Sequence, residues 1–358
     1  MNAVLRVLDF GLVSAARSQA VYQGIASVMT EFDAPVLTLA SPETPYVCIG
    51  LHQDLAAEVD EAYCRSKNLP VFRRYVGGGA VYLDRDQLFF HFIFPRDQAP
   101  KRVADIYASY TAPVIATYQA LGISARLRPI NDIHVGDRKI GGTGAAQIGD
   151  ATVMVGSFMF DFDIDTMAHC LKVPSEKFRD KLHGTLHDYM TTIRRELGVI
   201  PSREQLLKVF LREITTHLGL STHRDKPRPH EQEAIIHWEK KLHDPDWLRQ
   251  PGRRLTAGVK ITGGLHLSEG LYKAPGGLIR VRLLSQEGYI ADLDINGDFT
   301  CLPATGVERL SRMLQGLDLT HDPSREIQQR MASLNLDIPG VEAQHLTAAL
   351  HAAYRSKV

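Results

Sequence analysis

The chain has 358 residues with 41 basic and 41 acidic side chains, so no overall charge would draw it to nucleic acid or to an anionic membrane. Its hydrophobic and charged fractions, 44% and 23%, are those of a globular protein and exclude a disordered chain or a disulfide scaffold. No apolar run reaches the length of a membrane span, and the first residues lack a signal-peptide core. We therefore expect a cytoplasmic protein of two domains.

The first quarter of the chain alternates strand and helix patterns. These patterns predict a strand at 4–10, a helix at 15–32, strands in APVLTLA and PYVCIGL, a helix at 54–67 and a strand in LPVFRRYV. Three glycines follow that last strand, and AVYLD and LFFHFIFP then continue as strands. A glycine loop between two strands disfavours a dinucleotide-binding unit, in which the loop leads into a helix.

The middle of the chain predicts a β-meander between helices. The predicted elements are a helix at 106–121, three strand-like pieces between 126 and 163 separated by GD, GG and GD turns, and helices at 165–172, 186–195 and 202–217. We expect these helices to cover one side of the sheet.

The element order changes after a helix predicted at 235–242. From Leu255 onward, short strands such as LIRVRLLS and YIADLDING come first, and helices at 306–317 and 341–354 follow. A boundary near Gly252 therefore divides the chain into predicted domains at 1–252 and 253–358. We expect Trp238 and Trp247, near this boundary, to pack between the domains.

Gly77, Gly78 and Gly79 directly follow the strand that ends in paired arginines. Three consecutive glycines cost backbone entropy, so the site needs either a positive φ or a close approach that a Cβ would block. A ligand against bare backbone meets both needs, although a ligand-free turn is the alternative for an isolated triple glycine. Arg74 could hold a phosphate by forked hydrogen bonds, and strand alternation puts only one of Arg73 and Arg74 on the ligand face.

A second glycine-rich segment contains a single lysine. Asn131 and Asp132 precede Lys139, which enters the tract Gly141-Gly142-Thr143-Gly144. An ammonium held at such a turn could stabilise the negative charge that develops when a carboxyl group is activated by phosphate. Lys139 is therefore the predicted catalytic residue. An exposed hairpin with a GD turn is the alternative for this segment on its own.

Four segments carry a family resemblance: CIGLHQD at 48–54, AYCRSKNLPVFRRYVGGGAVYLD at 62–84, NDIHVGDRKIGGTGAA at 131–146 and VMVGSFMFDFDIDTMAHCL at 153–171. In order and spacing they resemble the motifs of lipoate-protein ligases, which are RRxxGGGAVxHD, ND-L followed by K-I-x-G-x-A, and an HGTLL-like strand. The tail from about residue 255 resembles the accessory domain of the longer members. The resemblance therefore covers nearly the whole chain.

This resemblance implies an α+β fold with mixed, largely antiparallel sheets flanked by helices, as in biotin ligases and class II tRNA synthetases, and a small α/β accessory domain. It implies that lipoate attacks the α-phosphate of ATP to give lipoyl-AMP, and that a carrier lysine then forms an amide. Mg²⁺ would neutralise the phosphates. The accessory domain is expected to cover the lipoyl-AMP site or to help position the carrier.

The resemblance also implies a role for each matching residue. Lys139 contacts the carboxyl and phosphate groups, Asn131 and Asp132 lie near the nucleotide, and Asp132 is the expected Mg²⁺ ligand. The residues expected to bind the acyl group and ATP are Arg74, Val76, Gly77, Gly78, Gly79, Ala80, Gly142, Thr143, Gly156 and Ser157. Three positions depart from the family pattern, because Val76 replaces Ser or Thr, and Leu83 and Val155 replace His. These changes leave the choice between lipoate and octanoate open.

The expected partner is a lipoyl carrier: a lipoyl domain, a glycine-cleavage carrier or a dedicated lipoate-binding protein. No nucleic acid or membrane partner is expected, and we expect a monomer. Two alternatives to the ligase remain. One is a cysteine-dependent octanoyl or lipoyl transferase with Cys170 as nucleophile, and the other is a carrier-binding protein without turnover.

Two further possibilities are less favoured by the sequence. A biotin ligase fits less well because the paired arginines and GGGAVY differ from its glycine-arginine loop. His183 and His187 have zinc-ligand spacing but lack the intervening Glu of a zinc helix, so we expect no transition metal. The four cysteines are scattered without a Cys-x-x-Cys pair, which fits reduced thiols.

Overall fold

The computed structural model describes residues 4–250, 260–261 and 265–356. Its internal contacts define two units. The N-terminal unit comprises Met1–Ile49, Ala56–Val76 and Ala80–Leu248, and the C-terminal unit comprises Gly50–Leu55, Gly77–Gly79 and Arg249–Val358. The domain boundary predicted at 252/253 lies outside the described residues and stays a prediction.

Strands and helices alternate irregularly as far as residue 248. In chain order they are β1 (Val4–Val13), α1 (Ala15–Val28), β2 (Val36–Pro42), β3 (Tyr46–Ile49), α2 (Leu55–Glu58), α3 (Glu61–Ser66), β4 (Val71–Arg73), β5 (Val81–Leu83), β6 (Gln87–Pro95), α4 (Val103–Ala120), β7 (Ala125–Arg128), β8 (Asp132–Val135), β9 (Arg138–Ile148), β10 (Ala151–Met159), α5 (Ile164–Cys170), α6 (Glu176–Tyr189), α7 (Ile193–Leu197), α8 (Arg203–Leu218), β11 (Ser221–Arg224), α9 (Pro229–Leu242) and α10 (Pro245–Leu248).

Eight of these strands form one mixed sheet in the order β11-β1-β2-β6-β10-β9-β8-β7. Strand β1 pairs in parallel with β2 and β11, and every other neighbouring pair in this sheet is antiparallel. A smaller sheet has the order β4-β3-β5. The prediction of mixed, largely antiparallel sheets flanked by helices is confirmed.

The core of the N-terminal unit lies around β6, whose sequence QLFFHFIFP is buried at every position. A strand covered on both faces has a continuous apolar sequence instead of an alternating one. Helix α1 contacts β6, and Phe210 of α8 packs on Phe90, Phe92 and Phe158 at ring-centroid distances of 5.6, 6.0 and 5.0 Å. This core holds the central strands of the large sheet in place.

A buried ion pair joins the first strand to a late helix. The Nη1 atom of Arg6 in β1 lies 2.6 Å from Oε1 of Glu231 in α9, and both side chains are almost fully buried. The Nε atom of Arg6 also lies 2.6 Å from Asp225. Desolvation opposes the charge on Arg6, but these two carboxylates hold the pKa of its guanidinium above the ordinary value.

The C-terminal unit is a four-stranded antiparallel sheet with helices after it. Its elements are β12 (Lys260–Ile261), β13 (Leu265–Ala274), β14 (Gly277–Gln286), β15 (Tyr289–Gly297), α11 (Gly306–Met313), α12 (Ser324–Ser333) and α13 (Ala343–Arg355). Helix α13 packs on β13 and β14. In β14 the alternate residues Ile279, Val281 and Leu283 are fully buried. Alternation of buried and half-exposed residues is expected for a sheet with one covered face.

Two predicted helices are interrupted in the structure. The predicted helix 54–67 is divided into α2 and α3, because the Asp60 carboxylate accepts a hydrogen bond from the Tyr63 amide at 2.9 Å and starts a new helix. The predicted helix 186–195 is likewise divided between α6 and α7, and Thr192 caps the second. Trp238 and Trp247 lie in the N-terminal unit, where they contact each other at 5.8 Å and both contact Tyr75.

The described helices include none that is both long and apolar enough to cross a membrane.

The buried ion pair predicts a large stability loss on truncation. Glu231→Ala removes the buried carboxylate beside Arg6 and leaves Asp225 and the Lys226 carbonyl as its acceptors, so we expect the free energy of unfolding to fall by about 3 kcal/mol. Glu61→Ala is the control, because Glu61 and the exposed Arg65 are 3.7 Å apart and such a pair contributes below about 1 kcal/mol. Urea denaturation measures both, and equal losses would contradict the assigned role of Glu231.

Candidate active site

The hairpin of β8 and β9 brings the predicted catalytic lysine to a carboxylate. Asp132 lies opposite Gly142, and a bulge between Ile133 and His134 places Lys139 opposite His134. The bulge puts Lys139 on the same face as Asp132, and the Lys139 Nζ atom lies 2.7 Å from Asp132 Oδ1. Both side chains are about one quarter exposed, so the pair is open to a ligand yet shielded from most water.

The adjoining residues fix the backbone around this pair. The Thr143 amide and hydroxyl both donate to the Asn131 carbonyl, at 3.0 and 2.8 Å, and the Asn131 side-chain amide donates to the Thr143 carbonyl. A Cβ at Gly142 would lie 3.1 Å from Lys139 Nζ. The missing side chain at Gly142 therefore leaves room for the lysine ammonium beside Asp132.

Tyr189 and His134 extend the polar cluster, although the sequence analysis singled out neither as a site residue. The Tyr189 hydroxyl at the end of α6 lies 3.4 Å from Asp132 Oδ2 and 3.3 Å from His134 Nε2. Burial, and then the charges of Arg128 and Lys139, lower the pKa of His134, while Asp132 opposes the shift. Tyr189 is 57 residues from Asp132 in sequence, and no local pattern connects them.

Strand β10 brings the other predicted residues beside the hairpin. Gly156 pairs with Thr143 of β9 and with Phe90 of β6. A Cβ at Gly156 would lie 2.6 Å from the Phe90 ring, so packing of the core accounts for this glycine. The Ser157 hydroxyl donates to Gln87 Oε1 at 3.4 Å. The structure thus brings Lys139, Asp132, Asn131, Gly142, Thr143, Gly156 and Ser157 together on adjacent strands.

The paired arginines contact different backbone carbonyls, and the expectation that only one of them faces a ligand stays a prediction. Arg73 is fully buried, and its Nε donates to the Leu248 carbonyl at 3.0 Å. Arg74 donates to the Cys48 carbonyl at 3.1 Å and is 9% exposed. Val76 is fully buried, and Ala80 is half-buried. These residues belong to the N-terminal unit, whereas Gly77–Gly79 group with the C-terminal unit.

The three consecutive glycines have three different environments. A Cβ at Gly77 would lie 2.5 Å from the Phe299 carbonyl oxygen, so close approach of the protein's own backbone requires this glycine. Gly78 has φ = 90°, which side-chain-bearing residues rarely adopt. At Gly79 the nearest atom to an added Cβ is 4.0 Å away. Gly79 therefore has more room for an added methyl group than Gly77, and the proposal that all three glycines line one pocket stays a prediction.

Cys170 has the environment of a structural thiol. It is fully buried, and the neighbouring Cys64 together with desolvation raises its pKa far above that of an ordinary thiol. A nucleophilic cysteine needs a lowered pKa and access to substrate. These properties oppose the transferase alternative. All four cysteines of the chain are free thiols.

The predicted zinc-spaced histidines make separate contacts. His183 Nε2 lies 2.7 Å from Asp165, and His187 Nδ1 lies 3.5 Å from Asp188. Within the described part of the chain, no group of three or more His, Cys, Asp or Glu side chains could hold a metal ion by itself.

Fold and site together place a lysine and a carboxylate side by side on glycine-rich strands of a mixed sheet. The family model of the lipoyl protein ligase A/B catalytic domain matches residues 15–215. Lipoate-protein ligase 1 of Staphylococcus aureus is 31% identical over 260 residues, which are 71% of this chain and 73% of that relative. The chain therefore belongs to the lipoyl protein ligase A/B family, as predicted.

Solved structures show the same fold. A bipartite lipoate protein ligase of Thermoplasma acidophilum, described with its E2 lipoyl domain, has a TM-score of 0.63 at 24% identity and covers 72% of this chain and 100% of its own. A lipoate-protein ligase A bound with ATP has a TM-score of 0.60 at 23% identity, with coverages of 70% and 99%. LipL1 of P. falciparum in complex with lipoate reaches 0.67 at 15% identity, with coverages of 93% and 97%.

The glycine environments predict different effects of adding one methyl group. Gly77→Ala forces a Cβ against the Phe299 carbonyl, so we expect a loss of about 1–3 kcal/mol in unfolding free energy. Gly79→Ala should change stability by less than about 0.5 kcal/mol. If Gly79 lies against a ligand, this second variant loses activity while keeping its melting temperature. A strongly destabilised Gly79→Ala would contradict the open environment assigned to this position.

The buried thiol predicts an inert role for Cys170. Cys170→Ser should retain ATP-dependent transfer of lipoate to a lipoyl domain, because the thiol is neutral and removed from solvent. Carrier mass measured by mass spectrometry gives the result, with the melting temperature as a check on folding. Abolished transfer by a folded variant would favour the cysteine-dependent transferase.

Proposed function

We propose that this chain is an ATP-dependent lipoate-protein ligase, which forms lipoyl-AMP and transfers the lipoyl group to a specific lysine of a carrier protein. The observation that carries the proposal is the Lys139–Asp132 contact of 2.7 Å within the segment matched by the family model. The similar proteins are lipoate-protein ligases, one of them bound with ATP and another in complex with lipoate, which supports the same substrates for this chain.

In the first step a lipoate carboxylate oxygen attacks the α-phosphorus of ATP. One O–P bond forms, the bond from the α-phosphorus to the bridging oxygen breaks, and pyrophosphate leaves with the electron pair. Negative charge grows on the phosphate oxygens in the transition state, and a fixed ammonium stabilises it. Lys139 supplies that ammonium beside Gly142, where a larger side chain would crowd it.

In the second step the neutral amine of a carrier lysine attacks the acyl carbonyl of lipoyl-AMP. A C–N bond forms, the C–O bond to AMP breaks, and the amine loses a proton to solvent. Lys139 can stabilise the charge on the carbonyl oxygen and on the departing AMP. Asp132 holds the lysine in place through the contact between Nζ and Oδ1 when no substrate is bound.

Asp132 fits the role of a Mg²⁺ ligand in part. Its second oxygen, Oδ2, faces the Tyr189 hydroxyl at 3.4 Å, and the side chain is accessible to ligands. Mg²⁺ commonly binds one or two carboxylates and completes its shell with substrate phosphates and water. We therefore propose that Asp132 holds the ion together with the nucleotide. The chemistry that Mg²⁺ supplies is neutralisation of phosphate charge.

The remaining predicted residues complete the proposed acyl and nucleotide site. We assign Arg74, Val76, Ala80 and the glycines 77–79 to this site because their tract matches the family pattern. At three positions the chain has an apolar residue, Val76, Leu83 or Val155, where the family pattern has a polar one. Val76 is buried, and Leu83 and Val155 are half-buried. The accessory domain is proposed to cover lipoyl-AMP or to help position the carrier.

The carrier partner is proposed from the family. A lipoyl domain is the first candidate, because the similar ligase of Thermoplasma acidophilum is described with one. A glycine-cleavage carrier and a dedicated lipoate-binding protein are the other candidates. We propose a monomer in the cytoplasm, and the four free thiols support a reducing compartment.

Removal of the Lys139 ammonium should abolish the first step. In Lys139→Ala we expect the lipoate-dependent exchange of labelled pyrophosphate into ATP to fall by about a hundredfold or more, because the developing phosphate charge loses its fixed cation. Lys208→Ala is the control, since Lys208 is exposed on α8. Exchange by Lys139→Ala near the wild-type rate would remove Lys139 from the chemistry. No exchange by the wild type would favour a binding protein without turnover.

A further inference from the structure

A cavity of about 650 Å³ opens at the edge of the large sheet, beside the Lys139–Asp132 pair. Its lining includes Arg126, Arg128, His134, Asp137 and Tyr189. None of these five residues is among the site residues predicted from the sequence. Strand β7, which carries both arginines, is the outermost strand on this side.

The strand register explains why the arginines face the active site. Arg126 lies opposite His134, and Arg128 lies opposite Asp132. Residues directly opposite each other in antiparallel strands project from the same face of the sheet. Asp132 and Lys139 are on that face. The ammonium of β9 and the guanidinium groups of β7 therefore lie on one face, and the two strands are separated by two interstrand spacings, or about 10 Å.

The charges and polar atoms of the cavity suit an anion. The cavity lining carries two guanidinium groups and one carboxylate, that of Asp137, which is fully exposed and 4.0 Å from Arg126. Water screens such an exposed pair, so Arg126 keeps most of its attraction for a ligand. Asp132, opposite Arg128 on the same face, is paired with Lys139 at 2.7 Å. Tyr189 adds a hydroxyl group at the inner end, next to Asp132.

His134 supplies a second, independent sign of a ligand. The residue is 1% exposed, and its Nε2 atom lies 3.3 Å from the Tyr189 hydroxyl. The Asp137 backbone also interacts with the ring, but the Nδ1 atom makes no hydrogen bond of ordinary geometry with the residues that the structure describes. A buried polar atom without a partner costs free energy unless water or a ligand satisfies it. Because His134 lines the cavity, a polar ligand there can supply the missing hydrogen bond.

We propose that this cavity binds the pyrophosphate portion of ATP, with Arg126 and Arg128 contacting the leaving group while Lys139 contacts the α-phosphate. The inference rests on the proposed function and extends it to residues on β7. When the bond to the α-phosphorus breaks, the electron pair stays on pyrophosphate, and the two guanidinium groups receive that added charge. The two guanidinium groups would repel a cationic carrier lysine.

The test uses the double variant Arg126→Gln/Arg128→Gln in the full chain. Both side chains are exposed, so folding should be retained, and the melting temperature checks it. In the synthesis of ATP from lipoyl-AMP and inorganic pyrophosphate, we expect the KM for pyrophosphate to rise about tenfold or more, because charge-assisted hydrogen bonds are lost. Transfer from synthetic lipoyl-AMP to a lipoyl domain needs no pyrophosphate and should keep its rate.

Arg65→Gln is the matched control, because Arg65 is an exposed arginine on α3. The KM of this variant for pyrophosphate should equal that of the wild type. An unchanged KM in the double variant would overturn the inference. Retained ATP synthesis with a raised KM for the lipoyl domain would also overturn it and assign the arginines to carrier docking. If the wild type makes no ATP from lipoyl-AMP and pyrophosphate, the proposed function itself fails.

Calorimetric titration with inorganic pyrophosphate alone gives a second measurement. Binding to the wild type that weakens about tenfold or more in the double variant supports the cavity as the site. Equal binding by both proteins would place pyrophosphate elsewhere.

Discussion

The proposed active site depends on one irregularity in an otherwise regular hairpin. The bulge between Ile133 and His134 places Lys139, and not the apolar Ile140, on the face that carries Asp132. The resulting 2.7 Å contact restrains a flexible lysine side chain. A preorganised cation stabilises developing charge without first having to reorient, which is the main requirement for attack of a carboxylate on a phosphate. The core around β6 and β10 holds this hairpin in position.

Glycine has different physical roles across the site. At Gly77 the protein backbone occupies the space of the missing side chain, and at Gly78 the backbone conformation requires glycine. A Cβ at Gly142 would lie 3.1 Å from the Lys139 ammonium, whereas at Gly79 the nearest atom, Asp298 Cβ, would be 4.0 Å away. A glycine-rich motif therefore combines folding requirements with binding requirements, and mutational effects on stability and on activity separate the two.

Much of the site was predictable because its chemistry is local in sequence. Asn131, Asp132 and Lys139 belong to one hairpin, and their residue types and the adjoining glycines indicated its role. The contacts of Tyr189 with Asp132, and of Gly77 with Phe299, join distant segments, and no sequence pattern records such packing. The helix interruptions at Asp60 and Thr192 were locally encoded, since both are N-cap residue types, but continuous helical periodicity concealed them.

The central claim is that a carboxyl group is activated by transfer of AMP. The most direct test supplies lipoate labelled with ¹⁸O in its carboxylate, together with ATP, Mg²⁺ and a lipoyl domain, and measures the mass of the nucleotide product. Attack on the α-phosphorus followed by aminolysis transfers one labelled oxygen to phosphate, so the account predicts AMP that carries a single ¹⁸O from each labelled lipoate. Unlabelled AMP, or ADP as the product of carrier modification, would contradict it.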